Sequence, residues 1–137
     1  MHNKDLAWDY VSRAGIRLKA VKVLHDEKSW PDVVRESQEI IELALKGFLR
    51  AQGFEPPRIH DVSEILLKEV SNFPKAIQVD IAKMAAASKS LRRDRELAFY
   101  GGEDLTPSVF YTKDDADEAM RQASWVVQVV KPFVAPK

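Results

Sequence analysis

The chain contains 137 residues, of which 45% are hydrophobic, and its 21 basic side chains balance 21 acidic ones. A formal net charge of zero gives the molecule no overall field that would attract nucleic acid or an anionic membrane. There is no cysteine, which excludes disulfide bonds, thiolate metal sites and a cysteine nucleophile. No apolar run is long enough for a membrane span, and charges interrupt the N-terminal stretch, so no signal peptide is expected. We therefore predict a cytoplasmic protein with a single domain over residues 1–137.

Apolar residues recur every three or four positions along most of the chain, which is the spacing of amphipathic helices. The first helix is predicted to start at an Asn3 cap and to end in the charged stretch 25–28. A second start signal follows at once, because Ser29 or Trp30 precedes a proline, and Gly53 stops that helix as a left-handed cap. The short connection favours an antiparallel pair of long helices.

A stiff loop containing Pro56 and Pro57 separates this pair from a short third helix. Asp61 and Glu64 have the spacing of a capping box at its start. A fourth, long helix is predicted from near Pro74. Its inward stripe consists of Ile77, Ile81, Met84, Ser88, Leu91 and Arg95. The small residues 85–88 suit the close approach of a neighbouring helix.

The helical pattern breaks between Phe99 and Ser108, where two glycines and a proline predict an irregular loop. Long loops in compact domains are often functional. Thr112 caps a last helix that Pro132 terminates, and the tail 133–137 is expected to fray. No segment has the alternating period of a strand, so the chain is predicted to be all-α, an up-and-down bundle of about five helices.

Basic residues are concentrated in two places although the total charge is zero. The fourth helix carries Lys83, Lys89, Arg92, Arg93 and Arg95 with one acid among them, and the first helix carries Arg13, Arg17, Lys19 and Lys22. One interpretation is a basic groove that binds phosphate. The other is that these side chains form solvated helix faces, with the bases near a helix C-terminus favoured by the macrodipole.

Arg95 occupies the position of the inward stripe where an apolar residue would be expected. An arginine there must reach water along the surface, pair with a buried acid, or line a cleft or a subunit interface. Glu36, Glu39 and Glu42 on the second helix are candidate partners. A structural ion pair and a functional role both remain open at this point.

The other residues that often carry chemistry form no recognisable site. His2, His25 and His60 lack the spacing of metal ligands, and no serine lies in a nucleophile-elbow pattern. We therefore predict no metal and no cofactor. His60 is expected to fix its loop by hydrogen bonding or to face a ligand. The three tryptophans are expected to pack in the core or at an interface.

Two blocks of the sequence resemble the HEPN domain family (higher eukaryotes and prokaryotes nucleotide-binding). The first is residues 35–49, followed by Gly53, Pro56–Pro57 and 60–62, and the second is 92–101, where the family carries its signature. The similarity covers nearly the whole chain. It implies a helical bundle that forms a homodimer with a composite cleft between the protomers. It also implies a minimal nucleotidyltransferase as partner in a toxin–antitoxin pair.

Active members of the family are metal-independent endoribonucleases with an arginine followed, after four to six residues, by a histidine. Arg95 matches the arginine, or Arg93 if the longer spacing applies, but Tyr100 stands where the histidine is expected. No histidine follows His60. The resemblance thus assigns the catalytic positions to Arg95 and Tyr100 and ligand binding to Arg92, Arg93 and Arg95. In some family systems the partner adenylylates a tyrosine near this motif, which here would be Tyr100.

The missing histidine matters because RNA cleavage without a metal needs a base for the 2′-hydroxyl and an acid for the leaving oxygen. Tyrosine, with an ordinary pKa of about 10, is a poor base at neutral pH. The main hypothesis is therefore a nucleotide- or RNA-binding module without efficient cleavage. The alternatives are a divergent ribonuclease that uses Arg95 with Tyr100, Glu96 or His60, and a scaffold that only holds its partner.

Overall fold

The computed structural model describes the backbone of residues 2–58, 61–100 and 106–136, and within them the side chains of 4–58, 61–89 and 106–136. This part of the chain contains helices and turns but no strand, which confirms the all-α prediction. The helices are α1 (His2–Asp26), α2 (Trp30–Ala51), α3 (Ser63–Lys68), α4 (Lys75–Tyr100), α5 (Pro107–Phe110) and α6 (Lys113–Val130). Two 3-10 turns, Val70–Asn72 and Lys131–Phe133, follow α3 and α6.

The four long helices form an up-and-down bundle in which α2 is central. It packs against α1, α4 and α6. Glu36 of α2 accepts a hydrogen bond from Arg17 of α1 at 2.7 Å, and Gly47 lies against Val11, so α1 and α2 are antiparallel. α6 also packs against α1 and α4, which leaves α1 and α4 at opposite corners of the bundle.

An aromatic cluster closes the end of the bundle where α2 ends and α4 begins. The ring of Phe48 lies 5.0 Å from that of Phe73 and 6.4 Å from that of Phe133, both edge to face. Phe54 adds a further edge contact with Phe73 at 5.8 Å. Such pairs contribute about 0.5–1.5 kcal/mol beyond the burial of their area. The cluster fixes α4 antiparallel to α2, so that the C-terminal half of α4 runs beside the N-terminal half of α2.

The chain from Lys131 to Pro136 is folded, which corrects the prediction of a fraying tail for 133–136. Val134 is only 8% exposed, and the backbone amide of Ala135 donates to the Lys131 carbonyl at 2.9 Å. The sequence suggested fraying because two prolines interrupt the helical pattern. The apolar side chains of the tail instead cover the aromatic end of the bundle, and burial outweighs the ordering of a few residues.

Several local predictions are confirmed and others need correction. Thr112 caps α6 as expected, and the structure adds a capping box with Asp115. Gly53, at φ +87°, follows α2 as expected. α1 begins before Asn3, so this residue does not cap it. The capping box predicted for Asp61 and Glu64 needs correction. The N-cap of α3 is Val62, and the Asp61 carboxylate accepts a hydrogen bond from the amide of Ser63, one residue before Glu64.

The break predicted at Phe99 comes slightly later, because α4 continues through Tyr100. The short helix α5 was not predicted and raises the number of described α-helices from about five to six. It starts with Pro107, whose fixed φ suits the first position of a helix. None of the helices in the described residues combines the length and the apolar content that a membrane crossing requires.

Candidate functional site

The four predicted site residues all belong to the C-terminal part of α4. Its backbone is helical from Lys75 to Tyr100, so Arg92, Arg93 and Arg95 share one helix with Tyr100 at its end. The side chains of these residues lie outside the described part of the chain. The side chain of Glu96, which was named as a substitute catalytic group, also lies outside the described part. His60 and residues 101–105 lie outside the described backbone as well.

The buried stripe that leads to Arg95 is confirmed as far as Ser88. Ile77, Met84 and Ser88 are fully buried and Ile81 is 1% exposed. A residue seven positions further along a helix lies about two turns away on nearly the same face. Arg95 stands seven positions after Ser88, so its place on the inward stripe stays a prediction from the helical repeat.

Ser88 joins α4 to the loop that precedes α3. Its hydroxyl accepts a hydrogen bond from the Val62 amide at 3.1 Å and lies 3.4 Å from the Asp61 carboxylate, to which it donates. A buried backbone amide needs such a partner, because leaving it unpaired costs about 1–3 kcal/mol. The bond therefore fixes the segment directly after His60 against the helix that carries Arg95.

A groove between α4 and α6 is the described cavity closest to the predicted site along α4. It has a volume of about 520 Å³, and Ala86, Ala87 and Trp125 form its apolar lining. The Lys83 ammonium lies over the Trp125 ring, 4.2 Å from its centroid, in a cation–π arrangement. Arg121, in an ion pair with Glu118, completes the rim.

On α4 this groove is lined by Lys83, Ala86 and Ala87. Sequence reasoning named Lys83 and the alanines separately but did not bring them together with α6. The signal for the groove is the pair of small residues on α4, since a helix without large side chains leaves space beside a neighbouring aromatic ring. Because Trp125 is distant in sequence, no local pattern predicts that its ring lies beside these alanines.

The acids proposed as partners of Arg95 have described partners of their own. Glu36 is bound to Arg17 of α1 at 2.7 Å. Glu42 pairs with Lys46 at 3.1 Å, and Glu39 lies 4.0 Å from Arg35, both within α2. The proposal of Glu36 as a partner is therefore wrong, because its carboxylate faces the α1 side of α2.

The basic residues of α1 do not share a groove with those of α4, because the two helices occupy opposite corners of the bundle. Arg13 forms an exposed ion pair with Asp9 at 3.3 Å, and Arg17 is bound to α2. Lys19 and Lys22 are exposed to solvent. The interpretation that the basic residues of α1 and α4 line one phosphate-binding groove is therefore wrong.

Two polar features, one buried and one partly exposed, were not found from the sequence. Gln38 is fully buried, and neither its amide nitrogen nor its amide oxygen has a hydrogen-bond partner in the described part of the molecule.

His25, expected only to end a helix, lies 2.6 Å from the Asp117 carboxylate and packs edge-on against Trp30 at 5.1 Å. No local pattern predicts a contact between residues 92 positions apart.

We expect the Asp117 contacts to make stability depend on pH. Hydrogen bonds from Lys113 and from His25 hold the pKa of Asp117 below its ordinary value. Such a group stabilises the fold above its unfolded pKa, and this contribution is lost as the pH falls through the folded pKa. Between about pH 5 and pH 3, the melting temperature of the natural protein should therefore fall more steeply than that of Asp117→Asn.

The measurement is thermal unfolding followed by circular dichroism across this pH range. Asp80→Asn is the control, because Asp80 makes no ion pair with another described residue. It should keep the steeper slope of the natural protein. Equal slopes for all three proteins would contradict the role assigned to Asp117.

The described side chains include no group of three or more histidine or acidic residues placed to hold a metal ion.

Comparison with known proteins agrees with the helical architecture. Residues 7–132 match the family model of the HEPN domain. Over 134 residues the chain is 30% identical to a protein of Methanocaldococcus jannaschii named "Putative toxin MJ1304", and the match covers 93% of this chain and 88% of the relative. No solved structure matches the chain. Because the family model spans most of the chain and the relative matches over nearly its whole length, the protein belongs to the HEPN domain family.

Proposed function

We propose that the protein is a nucleotide- or RNA-binding module of a toxin–antitoxin-like system in the cytoplasm, and that it cleaves RNA poorly. The observation that carries this proposal is the uninterrupted α4, which bears Arg92, Arg93 and Arg95, combined with the absence of any histidine after His60. The similarity to the protein named "Putative toxin MJ1304" supports the assignment to a toxin–antitoxin-like system.

The chemistry of these residues favours binding over cleavage. A guanidinium group offers several donors in a fixed fork and binds phosphate oxygens in pairs. General acid–base catalysis contributes about 10²–10⁴-fold to a rate. Losing the histidine therefore removes most of the cleavage but leaves the phosphate contacts of the arginines intact.

RNA binding tests this proposal directly. With a fluorescein-labelled single-stranded RNA of mixed sequence at low salt, fluorescence anisotropy should show binding that weakens as salt is added. Arg95→Ala should weaken it at least about tenfold, and Arg95→Lys less, because the lysine keeps the charge but loses the fork.

Lys75→Ala is the matched control, since it removes an exposed cation at the far end of the same helix. Its affinity should stay within about twofold of that of the natural protein. Absence of RNA binding, or equal affinities for Arg95→Ala and Lys75→Ala with unchanged melting temperatures, would contradict the proposal.

The cleft is proposed to form between two protomers. The support is the small-residue face of α4, where Ala86 is exposed beside the partly buried Trp125 in the groove with α6. Small residues allow a second helix to approach closely. A dimer at micromolar concentration in sedimentation equilibrium is the expected result, and a monomer would remove the composite cleft.

The protein partner is proposed to be a minimal nucleotidyltransferase. This assignment rests on family membership and on the relative's name as a toxin, since a toxin requires an antitoxin to restrain it. A gene for such an enzyme beside the gene of this protein, and co-purification of the two products, are the expected observations.

The alternative is a divergent metal-independent endoribonuclease in which Tyr100, Glu96 or His60 replaces the missing histidine. The bond between Ser88 and the Asp61–Val62 segment favours this alternative, since it holds the neighbour of His60 against α4. The protein should then cleave mixed RNA in the presence of a chelator, and either Tyr100→Phe or His60→Ala should abolish cleavage. Intact RNA at high protein concentration, without a partner present, would exclude this alternative.

A further inference from the structure

The solvent face of α1 carries an apolar ridge in the middle of the helix. Ile16 is 63% exposed and Val23 is 62% exposed, and Ala20 between them is also exposed. Steps of four and three residues place the three side chains in one line along the helix. A single exposed aliphatic residue needs no explanation, but a line of three on one helix forms a contiguous surface that water solvates poorly.

Cations flank this ridge. Lys19 and Lys22 are exposed, and neither forms an ion pair with another residue of the described chain. Arg13 is paired with Asp9, but both side chains are more than half exposed, and such pairs contribute little. No acidic residue occurs between Tyr10 and His25. The ridge is therefore flanked by Lys19 and Lys22, whose positive charges no described residue neutralises, and by Arg13, whose exposed pair with Asp9 is weak.

Acidic residues limit the length of this surface. Asp9 precedes it, and Asp26 and Glu27 follow it. From Arg13 to Val23 the helix rises by about 15 Å, so the apolar and cationic surface extends over roughly three turns. An anionic membrane would contact the whole helix, including the acids at both ends. A segment of about the same length as the ridge fits the charge pattern better.

A second copy of the chain is a poor occupant. In a twofold contact the residues nearest the axis meet their own copies. Centred on the ridge, such a contact would bring Lys19 close to Lys19 of the second copy, and like charges in a contact are unfavourable. The surface instead requires a partner that supplies negative charge on both sides of an apolar line.

We propose that the ridge and its flanking cations, Arg13 to Val23 of α1, bind a short acidic amphipathic helix of a partner protein. Its apolar residues would pack on Ile16, Ala20 and Val23, and its carboxylates would pair with Lys19, Lys22 and Arg13. The inference rests on the proposed function in one respect, because the acidic helix is assigned to the protein partner proposed above.

The test uses the full-length protein and two synthetic peptides. One is a helical peptide whose leucines repeat the spacing of Ile16, Ala20 and Val23 and whose flanking positions carry glutamate. The other has lysine at those positions. The glutamate peptide should bind with micromolar to sub-millimolar affinity in isothermal titration calorimetry, and added salt should weaken it. The lysine peptide should bind at least tenfold more weakly.

Charge exchange on the protein gives the sharpest comparison. The double variant Lys19→Glu, Lys22→Glu should lose at least tenfold in affinity for the glutamate peptide and should gain affinity for the lysine peptide. Ile16→Ser with Val23→Ser should weaken both. Val79→Ser is the control, because Val79 is 83% exposed on α4, and it should leave binding unchanged.

Several outcomes would overturn the proposal. Equal affinity for the two peptides would do so, as would an unchanged affinity after the charge exchange. A third such outcome is that neither peptide binds, while the protein binds anionic phosphatidylserine vesicles and the double variant Lys19→Glu, Lys22→Glu does not. Arg95→Ala should not affect peptide binding. A failure here therefore differs from a failure of the RNA-binding proposal, which is measured on α4 without a peptide.

Discussion

Gly47→Val should lower the free energy of unfolding by about 3 kcal/mol, because the position leaves no room for a side chain. A Cβ atom placed there would lie 2.8 Å from Cγ2 of Val11, 3.0 Å from the Ala7 carbonyl oxygen and 3.1 Å from Cβ of Tyr10. The last two atoms move only if the helix moves. The variant must therefore push α1 away from α2, although these two helices form the largest contact in the bundle.

The measurement is urea unfolding followed by tryptophan fluorescence and circular dichroism. Gly15→Ala is the matched control, because Gly15 also lies within a long helix but no atom comes within 4 Å of an added Cβ. Alanine costs less conformational entropy than glycine in a helix, so this variant should gain about 0.5–1 kcal/mol. A Gly47→Val protein as stable as the natural one would show that α1 and α2 are not in close contact there.

The second large effect is a gain of stability. Gln38→Met should raise the free energy of unfolding by about 1–2 kcal/mol, since burying an unpaired amide costs about 1–3 kcal/mol. Gln38 is fully buried and its amide has no described hydrogen-bond partner. Methionine has nearly the same shape without the polar atoms, so packing should be preserved.

Gln128→Met is the control for this change, because Gln128 is exposed on α6. Its stability should stay within about 0.5 kcal/mol of the natural value. A loss of stability in Gln38→Met would show that the amide has a partner in solution. If the variant is stabilised but binds RNA more weakly, the buried amide is retained for function at the expense of stability.

The features that the sequence predicted correctly are those set by neighbouring residues. The stripe of Ile77, Ile81, Met84 and Ser88 is buried because its spacing follows the helical repeat. The caps at Thr112 and Gly53 depend on one side chain or one φ angle. The inward face of α4 as far as Ser88 could therefore be predicted before any tertiary contact was known.

The remaining features depend on residues that are distant in sequence. The contact of His25 with Asp117 and that of Lys83 with Trp125 exist only after α6 has packed on the bundle. The first turn of α3 was misplaced by one residue because the Asp61 side chain could satisfy either of two amides, and Asp61 also accepts a hydrogen bond from Ser88 of the distant helix α4. Glu36 was misassigned because its orientation toward α1 is set by Arg17.

The position of α6 also has a consequence for synthesis of the chain. α6 leaves the ribosome after α1, α2 and α4, yet it packs along α2 and its Asp117 contacts the end of α1. A nascent chain that ends before Lys113 lacks this cover and exposes the part of the apolar face of α2 that packs against α6 in the finished fold. Truncated products should therefore be recognised by chaperones or proteases instead of accumulating as partly active molecules.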